Sequence, residues 1–426
     1  MFERSWEDLK YPTNRNKLFQ TPDDWLKNRQ CDNGAENLWR VHDNLYDLSS
    51  FIQKHPGGTM WLTLTRGTDI TEAFEAHHIT KSAENKLPEF FVKKASTPRN
   101  SPFTFEPNGF YCTLRERVRK HFDYKMPPVS RLSKICVDSY FLGFLTFCML
   151  AAKLQSTWLA IIAGFFGAMI ICSVHNFVHK KDSWRNYYYY FVGFSVREWR
   201  INHCLSHHLY PNTLVDTEIS LFEPAFEFIP SKDKPMWQRF GSWLYFPIVC
   251  SAVPFFQVLG RIRAGTFFKE DHLIFFPLLL MFVFGGVSMK IINLWFIALA
   301  FEGFLFAFVG LTAAHHHPDI FHEGDKPRED RDWGLHQCDA TLDRLEIVGN
   351  KFIGLVVFGD HTLHHLFPTI DFCHLQELLP LYNKTLDEFG VPQKLEHISE
   401  LTLGAFKQLA RNAVSMAERA QKKKIL

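Results

Sequence analysis

Two apolar hairpins in this chain each run straight into a histidine cluster, and that order limits the topologies open to it. Ile135 to Ala152 and Thr157 to Val174 are separated only by LQS and its neighbours. Each is close to the roughly 20 residues that a membrane-spanning helix needs. Their return delivers His175 and His179 in HNFVH, then His203, His207 and His208 in HCLSHH. A second pair, His272 to Met289 and Ile291 to Ala314, returns to His315 in AAHHH, and His361, His364 and His365 follow in HTLHH. A crossing out and a crossing back leave every cluster on one side of the bilayer. Between the pairs lies SWLYFPIVCSAVPFF, residues 242–256, with two prolines and a short uninterrupted apolar run. A crossing there would put the first two clusters and the last two on opposite faces. It is therefore read as an interfacial or re-entrant helix.

Histidines three or four apart lie on one face of a helix. One helix can then offer two imidazoles to one metal ion. Eight or nine such ligands are too many for a single ion. They suit two first-row metals side by side, with positions left open for a small molecule. A zinc hydrolase is the chemical rival, although zinc sites rarely need more than three or four ligands. A crowd of surface histidines is the bland alternative, and the shared membrane face of the clusters counts against it. His316, His317, His322 and His336 are surplus to the set. Asp182, Asp216 and Asp360 lie near the clusters, either orienting imidazoles or simply solvated. Glu302 is costly in lipid and should face a cavity or water, in a substrate tunnel or in a partnered packing role.

Composition removes other classes. A net charge of +2 implies no bulk attraction to nucleic acid, and 43 Phe favour an apolar setting. The 9 Cys include no C-x-x-C pair, which argues against a disulfide framework and a thiolate zinc site. The polar start, MFERSWEDLKYPTNRNK, has no secretory signal pattern.

Ahead of the hairpins, residues 39–91 read as a separate α+β unit, preceded by an N-terminal extension, residues 1–38. LWRVHDNLYDLSSFI alternates enough for short strands and then a helix. HPGG begins at His55, where a turn exposes the imidazole, and the acidic stretch ITEAFEA leads to His77 and His78. Two imidazoles from separate loops can clamp a haem iron from opposite sides. With both axial positions filled, such an iron moves electrons and does not bind oxygen. The unit resembles cytochrome b5 at Tyr46, Asp47, Leu48, Phe51, HPGG, Asp69, Phe74 and His78. The resemblance implies haem b, with His55 and His78 as axial ligands and Phe51 and Phe74 lining the pocket. His77 competes as second ligand; the four-residue step from Phe74 favours His78. Residues 92–134 form a basic linker whose charge marks the cytosolic side of the first span.

The histidine boxes resemble those of the membrane fatty acid desaturase superfamily, which includes hydroxylases. HHLFP and YPNTLVDTEI resemble front-end desaturases. With the haem unit, the whole layout is similar to the insect cytochrome b5-related proteins. The resemblance implies an all-α membrane domain over residues 135–426, with four transmembrane helices and a cytosolic helical cap. It implies a di-iron centre held by His175, His179, His203, His207, His208, His361, His364 and His365, with His315 matching a further ligand of stearoyl-type enzymes. The implied activity is O2-dependent desaturation of a fatty acyl-CoA or lipid. Electrons would come from NADH through a separate flavoprotein of the cytochrome b5 reductase type, since the chain has no G-x-G-x-x-G. A hydroxylase on the same scaffold and an inactive membrane-bound haem electron carrier are the alternatives.

Some positions depart from the pattern. Front-end desaturases usually carry Gln where this chain has His361. The second box has one extra residue, and Leu311 stands where stearoyl-type enzymes have Asn. These bear on regiochemistry and on the acyl carrier. At the end, Ala405 to Ala420 carries a helical stripe of Phe406, Leu409, Ala413 and Met416. The final KKKIL resembles a dilysine retention signal of the endoplasmic reticulum. The expected setting is that membrane, multi-pass in its lipid, with both termini cytosolic and no nucleic-acid partner.

Overall fold

A computed structural model describes residues 3–416, and the KKKIL motif lies outside the described residues. The N-terminal unit is α+β. Strands β1 (Trp39–Val41), β2 (Asn44–Tyr46) and β3 (Phe91–Lys94) form an antiparallel sheet in that order, with Trp39 opposite Tyr46. Short helices Thr59–Thr65 and Thr71–His77 pack on it around Trp39, Val41, Leu62, Ile70 and Phe74. His55 ends the 3-10 helix Ser49–Lys54, and His78 ends the helix Thr71–His77. Both imidazoles therefore stand where the backbone turns away and leaves the side chain free to point into the pocket.

The second part is helical and carries three helices long and apolar enough to cross a membrane: Arg131–Leu154, Thr157–Val178 and Met289–Leu311. The first has 24 residues, about 36 Å at 1.5 Å per residue, enough for a hydrocarbon layer of about 30 Å. Ser130 opens it by accepting from Leu132 N, and left-handed Gln155 closes it into the tight return. Thr157–Val178 then packs along both of the others. A Cβ on Gly164 or Gly167 would collide with Ala298 O or the Glu302 carboxyl, so small residues set this close approach. Glu302 is wholly buried there, and neither carboxyl oxygen has a hydrogen-bond partner. The expectation of a partnered packing role is not met.

The third apolar run and the C-terminal stripe differ from the sequence reading, whereas residues 237–264 are compatible with the re-entrant one. The stretch His272 to Met289 is α-helical only over Phe275–Gly285, 11 residues, about 17 Å and too short to cross alone. Gly286, at φ 77°, stops it, and a 3-10 turn over Lys269–Ile274 precedes it. Residues 237–264 form two helices bent by 65° at Ala252, a broken span or a re-entrant loop. The C-terminal helix ends at Ala410, after which Arg411 is extended and its guanidinium binds Asp325. Ala413 and Met416 therefore do not continue the helical stripe.

The stretch 92–134 is more than a tether. Its helix Phe110–His121 buries Phe110, Tyr111, Leu114 and Val118 in the cap. Its basic residues clamp the haem-type unit. Arg99 binds Asp69 at 2.8 Å and Glu72 at 2.6 Å, Arg115 binds Glu75, and Arg119 binds Glu84. Tyr210, from the other side, donates to Glu72 at 2.9 Å. Glu72 is fully buried and Asp69 nearly so, which makes these pairs sensitive to the loss of either partner. Arg99→Ala strands two buried carboxylates and is expected to cost about 3–5 kcal/mol. Denaturant unfolding of the solubilised chain, with amide exchange over residues 71–77, measures it.

Candidate metal centre

Nine histidines from four separate segments converge at the membrane-domain end of these helices. His175 lies in the last turn of Thr157–Val178, and His179 ends that helix. His203 and His207 lie on the helix Arg200–His207, and His208 follows it. His315 stands just after Met289–Leu311, and His361, His364 and His365 lie on the short helix His361–Leu366. None is more than 6 % exposed, so they are not surface histidines.

Among the described residues they form two adjacent all-histidine groups, and His203 and His207 also share a third with Glu218. His175, His179, His203, His208 and His364 make one, and His207, His315, His361 and His365 make the other. Within the first, the Nε2 of His175 lies 2.6 Å from that of His203, 3.2 Å from that of His179 and 3.1 Å from that of His364. Within the second, the Nε2 of His315 lies 2.8 Å from that of His361 and 3.0 Å from that of His365. Two nitrogens bound at right angles to one ion, each at about 2.0–2.1 Å, sit about 3 Å apart. The spacing therefore fits a shared ion in each group.

The proton positions agree. His203 Nδ1 donates to Glu218 Oε1 at 2.8 Å, His207 Nδ1 to Asp216 Oδ2 at 2.9 Å, His315 Nδ1 to Ala340 O at 3.0 Å, and His365 Nδ1 to Gln337 Oε1 at 3.0 Å. Each acceptor is an oxygen without a proton to give, so Nδ1 carries the hydrogen and Nε2 keeps its lone pair for the centre. Burial holds His208, His361, His364 and His365 well below the ordinary imidazole range, hence neutral at physiological pH. Burial also disfavours charge on His207, but Asp216 and Glu218 outweigh it and raise that ring to about 9. Neutral rings are what a metal ligand set requires.

Local folding explains which ring goes where. HCLSHH does not form an ordinary α-turn. Arg200–His207 is a π-helix, closed by His208 N donating to His203 O at 2.9 Å. The wider turn absorbs the extra residue and brings His203 and His208, five apart, to one group, their Nε2 atoms 3.0 Å apart. His203 and His207, four apart, still lie together beside Glu218, while His207 also turns to the second group. HNFVH keeps the expected pairing of His175 with His179. In HTLHH, His361 and His365 share one group while His364 faces the other.

The supporting residues are partly new. Of the three aspartates singled out in sequence, Asp216 holds an imidazole. Asp182 binds Arg200 at 2.8 Å, and Asp360 accepts from Gly349 N at 2.9 Å. Glu218 and Gln337 were not foreseen, nor was Asp343, which accepts from His361 N at 2.5 Å and starts that short helix. Asn212 donates to His315 O at 2.9 Å and to Phe321 O at 2.8 Å, tying the loop after the π-helix to the last span. Of these, Asn212 and Glu218 fall in the YPNTLVDTEI stretch, the one signal that could have found them. His316 stacks on Phe228 at 3.5 Å, and His336 Nε2 donates to Pro211 O at 2.9 Å. Neither these two nor His317 and His322 belong to a metal-type group among the described residues.

In the N-terminal unit His55 and His78 face each other with ring centres 6.3 Å apart. That gap fits one iron between two nitrogens at about 2 Å each. His55 Nδ1 donates to Gly58 O at 3.0 Å and His78 Nδ1 to Phe74 O at 2.9 Å, which again frees each Nε2. Phe51 lies 6.0 Å from His55 and Phe74 lies 5.0 Å from His78.

Two family models match the chain. The fatty acid desaturase family matches residues 153–396, and the cytochrome b5-like haem/steroid binding domain matches residues 23–96. A cytochrome b5-related protein of Drosophila melanogaster is 38% identical over 424 residues, covering 96% of each chain. A probable Delta(5) fatty acid desaturase C of Dictyostelium discoideum is 26% identical, covering 90% of this chain and 93% of its own. An acyl-lipid (8-3)-desaturase of Mortierella alpina is 24% identical, covering 83% of this chain and 88% of its own. No solved structure matches. Asp216→Asn keeps an acceptor for His207 but removes the charge behind it. Loss of such a partner costs about 10–100-fold in metal affinity. Dialysis against a chelator is expected to strip non-haem metal from the variant first, with haem content unchanged.

Proposed function

The chain belongs to the fatty acid desaturase family, with a cytochrome b5-like domain ahead of its membrane helices, and from that we propose an O2-dependent lipid-modifying oxidoreductase, a fatty acyl or lipid desaturase. The observation that carries the reading is the pairing of two buried imidazole groups, of five and four rings, with a haem-type pocket docked in the same chain. Redox chemistry needs both, whereas a hydrolase has no task for the second.

The residues take these roles. His175, His179, His203, His208 and His364 would hold one iron ion, and His207, His315, His361 and His365 would hold the other. His55 and His78 would hold haem b, within the pocket of Phe51 and Phe74. When bound, haem supplies electrons one at a time and the iron pair supplies the activation of dioxygen for C–H oxidation. Glu218, Asp216, Ala340 and Gln337 fix the proton on Nδ1 of their partners and hold each ring's orientation. Burial of all nine rings keeps water from the reacting carbon, and the spanning helices deliver the acyl chain from the bilayer. Electrons enter from NADH through a cytochrome b5 reductase-type flavoprotein. The setting is the endoplasmic reticulum membrane, with both termini cytosolic.

Five ligands on one ion and four on the other leave positions open for oxygen, a richer set than the three or four of zinc hydrolases. The test is expression in yeast with lipid profiling of wild type against His365→Ala. New unsaturated species, lost in the variant, are expected. Purified wild type is expected to hold two non-haem irons besides the haem. Hydroxylated lipids would make it a hydroxylase, and haem iron alone without lipid product would make it an electron carrier.

A further inference from the structure

We propose that His77 is the electronic bridge between the two centres, passing electrons from the haem ligand His78 to the five-histidine group through the ring of His179. The inference rests on the reading of His78 as a haem ligand and of that group as an iron site. His77 is bonded directly to His78 in sequence and ends the helix Thr71–His77. Its ring stacks on that of His179, with centres 6.4 Å apart and planes at 23°. One covalent link and one ring contact therefore span the whole distance between a haem ligand and a metal ligand.

The contact is held from several directions. His77 Nδ1 donates to Ala73 O at 2.9 Å, and Thr369 Oγ1 donates to His77 O at 3.3 Å. Trp61 covers His77 at 5.5 Å, and the Arg200 guanidinium lies 4.6 Å over Trp61. Arg200 in turn donates to Val178 O at 3.1 Å, next to His179. Gly58, at φ 103°, lies so close to Asp182 that a Cβ would collide with its carboxylate. The acid pairs of Glu72 and Glu75 immobilise the same helix. A tunnelling contact needs this rigidity, because transfer falls steeply with each added ångström.

Packing alone does not explain the residue. His77 Nε2 is buried without a partner, and so is Nδ1 of His179. An apolar side chain at position 77 would fill the space without stranding a nitrogen. An imidazole is the worse choice for stability and the better one for coupling two π-systems.

The transfer is one electron: ferrous haem becomes ferric as one ferric ion of the five-histidine group becomes ferrous. Deazaflavin photoreduction of the full-length, haem- and iron-loaded protein delivers single electrons to the haem without oxygen or lipid. Decay of the ferrous haem band then reads the onward step. His77→Leu is expected to keep the low-spin haem spectrum and iron content while slowing that decay by an order of magnitude or more. His77→Phe, which keeps the ring stack, is expected to recover most of the rate. Wild-type decay in His77→Leu, or no recovery in His77→Phe, would overturn the proposal. Loss of the low-spin spectrum in His77→Leu would also overturn it, by making His77 the haem ligand. Wild type with no onward transfer would instead sink the iron-site reading, and the bridge with it.

Discussion

Lone pairs of nine imidazoles cannot be packed about 3 Å apart without a positive charge among them, and the fold is arranged around that repulsion. Burial keeps the rings beyond the spanning helices, other than His207, neutral and makes the crowd expensive when left to itself. On the proposed function two cations would relieve it, each tying several segments together. The helix Thr157–Val178, the π-helix, the segment after Met289–Leu311 and the helix His361–Leu366 all contribute rings to these groups. The polar shell follows from the same constraint. Glu218, Asp216 and Gln337 settle where each proton sits, because a ring with the wrong tautomer would point a hydrogen at the ion.

A second network determines how the haem-type unit meets this centre. Asp69, Glu72, Glu75 and Glu84 face Arg99, Arg115 and Arg119 from the following segment. The pairing is largely buried and hydrogen-bonded, which is where ion pairs carry geometric information rather than mere charge. The helix Thr71–His77 is thereby pressed against the membrane domain on a fixed face.

Much of this was readable from residues. The nine histidines stood out because apolar runs of spanning length preceded them, so topology and chemistry could be argued together. HPGG and the Phe74–His78 step marked the haem-type pocket in the same way. Other features depend on tertiary hydrogen bonds that no periodicity records. The His203–His208 pairing follows from a π-turn, and Glu218, Gln337 and Asp343 are single polar residues remote from most of what they hold. The basic stretch 92–134 read as a membrane flank because its acidic partners lie 25 to 45 positions earlier. Gly286 cut the third apolar run short, since apolar composition says nothing about where a backbone leaves the helix.

The docked helix has a consequence for traffic through the haem. A free-floating carrier can meet its donor and its acceptor in turn with the same surface. Here that surface is closed, because the helix ending at His77 is buried against the helical domain. On the proposed function an electron donor would approach elsewhere, and Ser49, Ser50, Gln53, Lys54 and Pro56 on the His55 side are open to solvent. On the proposed function the haem unit would be wired in series, with an inlet on one flank and an outlet on the other, and its turnover would escape the diffusion of a shuttle.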